Sequence, residues 1–182
     1  MKALEDIAKR MGGGEVSVGF LANATYPDGT PVAAVAFWNE FGTSREVAEG
    51  EVTLNRSINE STGEFNRKGR FVKKSKANFS TTHKRKAHTI TVPPRPFFRT
   101  MIAKESPNWA KTLGKLAVTY NYDGSKTLAA MGEDIKGALQ QSINEFSTPE
   151  LAASTVRNKG SAKPLIHTSH MVNSVDYEVK TS

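Results

Sequence analysis

The chain contains no cysteine, which excludes disulfides and thiolate metal sites and removes any need for an oxidising compartment. No apolar run approaches the roughly 20 residues needed to cross a bilayer. The first ten residues mix Lys2, Glu5, Asp6, Lys9 and Arg10 with few apolar side chains and so do not read as a secretory signal. Phosphate-cradling loops of the GxxxxGK[ST] or GxGxxG type are missing, and Gly12-Gly13-Gly14, without a following Lys-Ser/Thr, reads as a linker. One further absence is local: residues 65–104 contain no Asp or Glu.

That acid-free stretch holds twelve Lys or Arg, namely Arg67, Lys68, Arg70, Lys73, Lys74, Lys76, Lys84, Arg85, Lys86, Arg95, Arg99 and Lys104. The formal net charge is +7, yet the rest of the chain has 13 basic against 18 acidic residues. A mildly acidic body therefore carries one basic segment. Such asymmetry points to a polyanion or an acidic partner near it. Two readings stay open. The nine basic residues from Arg67 to Lys86 can touch DNA phosphates, each adding salt-sensitive affinity, with Phe71 and Phe79 placed to stack on bases. Alternatively, the segment is a solvated loop or a docking arm for an acidic protein. No motif of a sequence-reading nucleic-acid fold is present.

The 182 residues, 37% hydrophobic and 24% charged, fit one soluble domain with a real core. Leu4, Ile7, Ala8 and Met11 give residues 2–11 a helical stripe, and Val16, Val18 and Phe20 alternate as in a half-buried strand. Thr30-Pro31 is a cap-plus-proline start for a helix that Gly42 ends in a left-handed residue. That helix is apolar almost all round, so it should be buried or sit at an interface. Residues 43–90 read as a long hairpin or loop excursion, with short strands at Val52/Leu54 and Phe71/Lys73 and a better one at 88–92. Pro96 opens a helix to about Lys104, and Ser106-Pro107 opens another from Asn108 to about Tyr120. Leu128, Met131, Ile135, Leu139, Ile143 and Phe146 form one continuous stripe along a helix over 126–146. A short helix follows Thr148-Pro149, and Val175, Tyr177 and Val179 alternate in a final strand. The order predicts a single α+β domain over 1–182, a small and mostly antiparallel sheet packed against several helices.

Catalytic sets are not legible. His83 and His88 flank basic residues, where positive charge disfavours a bound cation. His167 and His170 have a spacing that suits a shared metal, but no third ligand follows. Ser161 and Ser169 lack an orienting carboxylate and an oxyanion hole at any recognisable spacing. Glu133 and Asp134 are helical neighbours whose side chains diverge. The expectation is a protein without catalytic residues, cofactor or metal.

Three segments stand out in order. They are Val35-Ala36-Phe37-Trp38-Asn39-Glu40-Phe41-Gly42-Thr43, then Pro93-Pro94-Arg95-Pro96-Phe97-Phe98-Arg99, then Pro164-Leu165-Ile166-His167-Thr168-Ser169-His170-Met171-Val172-Asn173-Ser174-Val175. Together, from about Val16 to Val179, they resemble the tail-completion and head–tail joining proteins of tailed bacteriophages, a family also described as minor tail or virion morphogenesis proteins. Two positions depart from its pattern: His167 stands where an Asp is usual and Ser169 where a Gly is usual. Residues 46–86 are long for the family.

The resemblance implies a non-enzymatic virion protein at the head–tail junction, assembled in the host cytoplasm. It implies a homo-oligomeric ring of six-fold symmetry around the DNA path, with neighbouring neck and tail proteins as partners, non-specific contact with double-stranded DNA, and no membrane. A head-side adaptor on the portal and a DNA-binding accessory protein are the alternatives. Phe37, Trp38, Asn39, Glu40, Phe41, Arg95, Phe97, Phe98 and Arg99 are the candidate ring or partner contacts. Within the first motif the aromatics are expected to anchor the core, with Asn39 and Glu40 facing a neighbour. Phe97 and Phe98, adjacent on a helix, point to different sides.

Overall fold

The computed structural model describes residues 2–151, 153–159, 162–165 and 169–181. The chain is α+β, as expected, but its strands form three separate two-stranded ribbons and not one sheet. It divides into two compact units, residues 1–43 with 92–182 and residues 44–91. The segment expected as an excursion from one domain is thus a compact unit of its own.

In the larger unit, helix α1 (Lys2–Met11) leads into β1 (Gly14–Phe20). Strand β6 (Val175–Thr181) pairs antiparallel with β1, in register from Gly14↔Thr181 to Phe20↔Val175. Helices α3 (Phe97–Thr119) and α4 (Gly124–Glu145) pack on each other, and α4 also covers the ribbon. The approach of α4 is close because Gly132 has no side chain: a Cβ there would meet the Tyr177 ring at 2.5 Å and Val16 at 3.0 Å. The α4 stripe behaves as its spacing demands. Met131, Leu139 and Ile143 are buried, and Ile135 and Phe146 pack against the core. Asp123 caps α4 by accepting from the Lys126 N–H at 3.0 Å.

Helix α2 (Val32–Phe41) sends Val32 and Ala36 into the same core, joined by Phe97, Met101, Leu165, Met171, Val172 and Val175. Two short helices complete the unit, α5 (Ala153–Lys159) and α6 (His170–Asn173). The third motif therefore contributes mainly core residues. His170 Nε2 lies 2.8 Å from the Thr25 carbonyl oxygen, and its ring lies 4.7 Å from that of Tyr26. Ser161 and Ile166-His167-Thr168 lie outside the described residues.

Three local expectations are corrected. The two helices foreseen over 97–120 are one, with Pro107 inside it. Packing of α3 along α4 outweighs the backbone hydrogen bond that proline removes. The cap of α2 is Pro31 and not Thr30, with no side-chain cap bond. Instead the Thr30 N–H binds Asp28 Oδ1 and its carbonyl accepts from the Tyr26 N–H in a tight turn. Gly42 has a positive φ of 76°, but its ψ of 168° is extended, because the chain goes straight on into a strand.

In the smaller unit β3 (Gly50–Arg56) and β4 (Phe79–Arg85) pair antiparallel, from Gly50↔Arg85 to Arg56↔Phe79. Strand β2 (Thr43–Val47), where the chain arrives, pairs with β5 (His88–Val92), where it leaves. Phe71 and Lys73, expected in a strand, lie outside any. The Val72 N–H donates to the Asn55 carbonyl of β3 without extending the ladder. Residues between β3 and β4 are held by Asn78, whose amide bonds both the N–H and the C=O of Ile58. None of the described side chains in this unit is buried. Its apolar centre is a stack in which the Arg56 guanidinium lies 5.3 Å from the Phe65 ring and 5.2 Å from the Phe71 ring.

Candidate functional site

Helix α2 has two rows of side chains at four-residue spacing. Val32, Ala36 and Glu40 face inward, and Phe37 and Phe41 face outward. The outward rings pack 4.7 Å apart. Phe37, Phe41 and the adjacent Trp38 are 59%, 52% and 47% exposed, an apolar patch within one helical turn and a half. Beside them a groove of about 200 Å³ opens between α2 and the start of α3, lined by Phe20, Ala33, Phe37, Phe41, Phe97 and Phe98 with Glu40 and Arg99 at its polar edge.

The inward row ends in a charge. Glu40 is 5% exposed, and its carboxylate accepts from the Phe98 N–H at 2.9 Å and the Arg99 N–H at 3.2 Å. These are orphan donors of the first turn of α3, whose own N-cap, Pro96, supplies no side-chain bond. Arg99 Nε donates to the same carboxylate at 2.7 Å, and Arg99 Nη2 to the Glu40 carbonyl at 3.1 Å. A carboxylate at a helix N-terminus is favoured by the macrodipole. Here it comes from a neighbouring helix.

Asn39 and Arg95 make a second link. The Arg95 N–H donates to the Asn39 carbonyl at 2.7 Å, and Arg95 Nη1 to Asn39 Oδ1 at 3.1 Å. Asn39 Nδ2 donates to the Val35 carbonyl at 2.8 Å. Arg95 is 6% exposed, and burial pushes its guanidinium below its usual pKa. Gly42 closes the junction, since a Cβ there would lie 2.9 Å from both Pro94 N and the Val92 carbonyl oxygen.

The first and second motifs are therefore locked together, with the roles inside them reversed. Asn39 and Glu40, expected to face a neighbour, are spent inside the chain. Phe37, Trp38 and Phe41, read both as possible core anchors and as candidate partner contacts, are exposed. The reason is the row: Glu40 follows Val32 and Ala36 at intervals of four, so burying those two carries Glu40 inward, where α3 presents unpaired N–H groups. The Phe97/Phe98 expectation holds, with Phe97 1% exposed and Phe98 at the groove. Arg99 stays on the surface, its side chain 56% exposed and its guanidinium carbon 4.9 Å from the Phe41 ring centre. Phe20 was missed as a groove residue; its place at the end of an alternating strand was the available signal.

The smaller unit collects the charge. Residues 44–91 hold eleven basic against five acidic residues, six of the seven net positive charges. Lys68, Arg70, Lys73, Lys74, Lys76, Lys84, Arg85 and Lys86 are all exposed or nearly so, and Arg67 belongs to the same unit. Lys74 and Lys76 share a short 3-10 turn, while Lys84 and Arg85 end β4. Phe79 turns inward onto Phe65, with centroids 5.6 Å apart, whereas Phe71 is 62% exposed.

Among the described residues no three His, Asp or Glu side chains gather as metal ligands, and no helix is long and apolar enough to cross a membrane. Comparison with known proteins finds no family model, no curated protein and no solved structure that matches the chain.

Proposed function

We propose that the chain is a non-enzymatic structural subunit of a tailed-phage neck, a tail-completion or tail-terminator protein that closes into a ring around the DNA path. The observation that carries this reading is the rigid aromatic face of α2. Phe37, Trp38 and Phe41 stand exposed on a helix bonded to the first turn of α3 through Glu40 and to Arg95, just before it, through Asn39. Aromatics presented on a fixed scaffold are typical anchors of protein interfaces. A closed ring needs such a patch on every subunit, meeting a different patch on the next. The likeness of the three ordered motifs to tail-completion and head–tail joining proteins supplies the setting.

The test is the mass of the purified protein by light scattering, with negative-stain images. The expected result is an open ring of about six copies, disrupted by Trp38→Ala or Phe37→Ala. A ring of about twelve copies favours the portal adaptor instead. A chain that cleaves DNA with a metal ion refutes the reading, and one that stays monomeric up to millimolar concentration refutes a self-assembling ring and leaves one templated on a partner.

The concentrated charge of residues 44–91 favours a second reading, contact of that unit with the phosphates of passing DNA. It is compatible with the ring and is tested separately by salt dependence.

A further inference from the structure

Helix α1 has no buried residue. Leu4 is 72% exposed, Ala8 is also exposed, and only Ile7 and Met11 of its apolar stripe are partly covered. An amphipathic helix of ten residues is marginal in water without a partner for its apolar face. Its lower end is fixed. The Met11 backbone lies against Gly124, where a Cβ would collide with the Met11 carbonyl.

The α2 groove lies at the other end of the same ribbon. Gly14, where β1 begins, sits beside Leu128 of α4, and Phe20, where β1 ends, lines the groove. Seven residues of extended strand separate the two by about 20 Å. The Gly12-Gly13 link spans at most roughly 11 Å. While Met11 stays on Gly124, α1 cannot fill the groove of its own chain. One chain thus presents an uncovered apolar helix at one end and an uncovered apolar groove at the other.

The groove has the scale of an anchor site. Its volume of about 200 Å³ is below the roughly 300 Å³ at which small-molecule sites begin and well above the ~30 Å³ of one water. Charge fits too. At about 100° per residue, Glu5 flanks the Leu4–Ala8 stripe. Arg99, more than half exposed, stands at the groove's polar edge. The Glu40 carboxylate beneath is already filled by three donors and presents little repulsion.

We propose that α1 of one copy docks in the α2 groove of the next, with Leu4 as the anchor between Phe37, Phe41 and Phe98 and with Glu5 meeting Arg99. This contact joins two different patches and so propagates head to tail, as a closed ring requires. The proposal rests on the ring-subunit reading and names the element that would join its copies.

The chain offers a direct test because it contains no cysteine. Leu4→Cys/Phe37→Cys, oxidised at high concentration, is expected to give a ladder of covalent oligomers, while each single variant gives none. Leu4→Asp and Phe37→Asp, both at exposed positions, are each expected to weaken self-association roughly 10- to 100-fold. Mixing those two variants is expected to restore one contact per pair and yield a dimer. Dimers from Phe37→Cys alone, or a double variant without a ladder, overturn the proposal. If the wild-type protein still forms rings in that case, the docking element is wrong and the ring reading stands. A double variant without a ladder, together with a wild-type chain that does not associate, overturns both the docking element and the self-assembling ring.

Discussion

Replacing Glu40 separates two explanations of the junction between α2 and α3. In one, the ion pair with Arg99 holds it; in the other, the carboxylate acts as a cap for α3. The geometry favours the cap. The Arg99 side chain is 56% exposed, so its pair with Glu40 is screened and worth about 0–1 kcal/mol. The Phe98 and Arg99 N–H groups donate to Glu40 at 2.9 and 3.2 Å, on a side chain 6% exposed. Loss of a cap costs about 1–2 kcal/mol, a figure that already includes its unpaired donors, and a second part-buried donor adds about 1 kcal/mol. Glu40→Ala is therefore expected to destabilise by about 2–3 kcal/mol, a large share of the roughly 5–15 kcal/mol available to a domain. Glu40→Gln keeps one acceptor oxygen and should cost about half as much, roughly 1–1.5 kcal/mol. Arg99→Met keeps the stem near Phe41 and should cost about 1 kcal/mol. The assay is denaturant unfolding followed through Trp38 and Trp109 fluorescence, with a double-mutant cycle between the two positions. An Arg99→Met loss as large as that of Glu40→Ala, or coupling well above about 1 kcal/mol, would refute the argument and make the ion pair dominant.

Three other outcomes follow from single features. The Lys126 backbone N–H, and then the Lys126 side chain, hold the Asp123 carboxyl below the usual carboxylate range. Its contribution is therefore present above the unfolded value of about 3.9 and lost as pH falls through the lower folded value; Asp123→Asn, which still caps, should flatten stability against pH below about 4. Gly132→Ala gains up to about 1 kcal/mol of helix propensity but drives a methyl into Tyr177, so a net loss of about 1 kcal/mol or more should appear in the unfolding midpoint. Changing Lys73, Lys74, Lys84, Arg85 and Lys86 to Ala should leave oligomer mass unchanged, while affinity for double-stranded DNA falls and its salt slope drops by about 0.9 for each phosphate no longer neutralised.

Legibility in the sequence followed the local physics. Strands β1 and β6 show their alternation because one face lies on α4, and α4 shows its stripe because it covers the core. Their pairing was not legible, since the partners lie more than 150 residues apart and nothing local encodes register. Strand β4 was missed because Ser80, Thr82 and Lys84 alternate with only two partly buried residues, Phe79 and Thr81, before His83 and Arg85 are exposed, so no buried face marks its full length. Ser106-Pro107 carries the same signature whether a helix begins there or already runs through, and only the neighbouring α4 decides. Glu40 was legible in principle from its spacing behind Val32 and Ala36. It was misread because a carboxylate is seldom buried unless donors await it, and those donors lie 58 residues away.

The reversal inside the first motif bears on how an interface can be built from few residues. Surface aromatics on a mobile segment lose ordering free energy on binding, which weakens the contact. Here the polar residues beside them remove that loss beforehand. Glu40 fixes the end of α2 to the first turn of α3, Asn39 fixes it to Arg95, and Gly42 presses it onto Pro94. Phe37 and Phe41 already pack against each other at a tilt, with Arg99 over the second ring. Disturbing the buried polar set should therefore weaken self-association even where the aromatics are untouched. Glu40→Gln, assayed at a temperature where it remains folded, separates the two designs. If α2 only needs to expose three aromatics, its association matches wild type. If the junction holds them in a fixed arrangement, association falls while the Phe37 and Phe41 exposure stays the same.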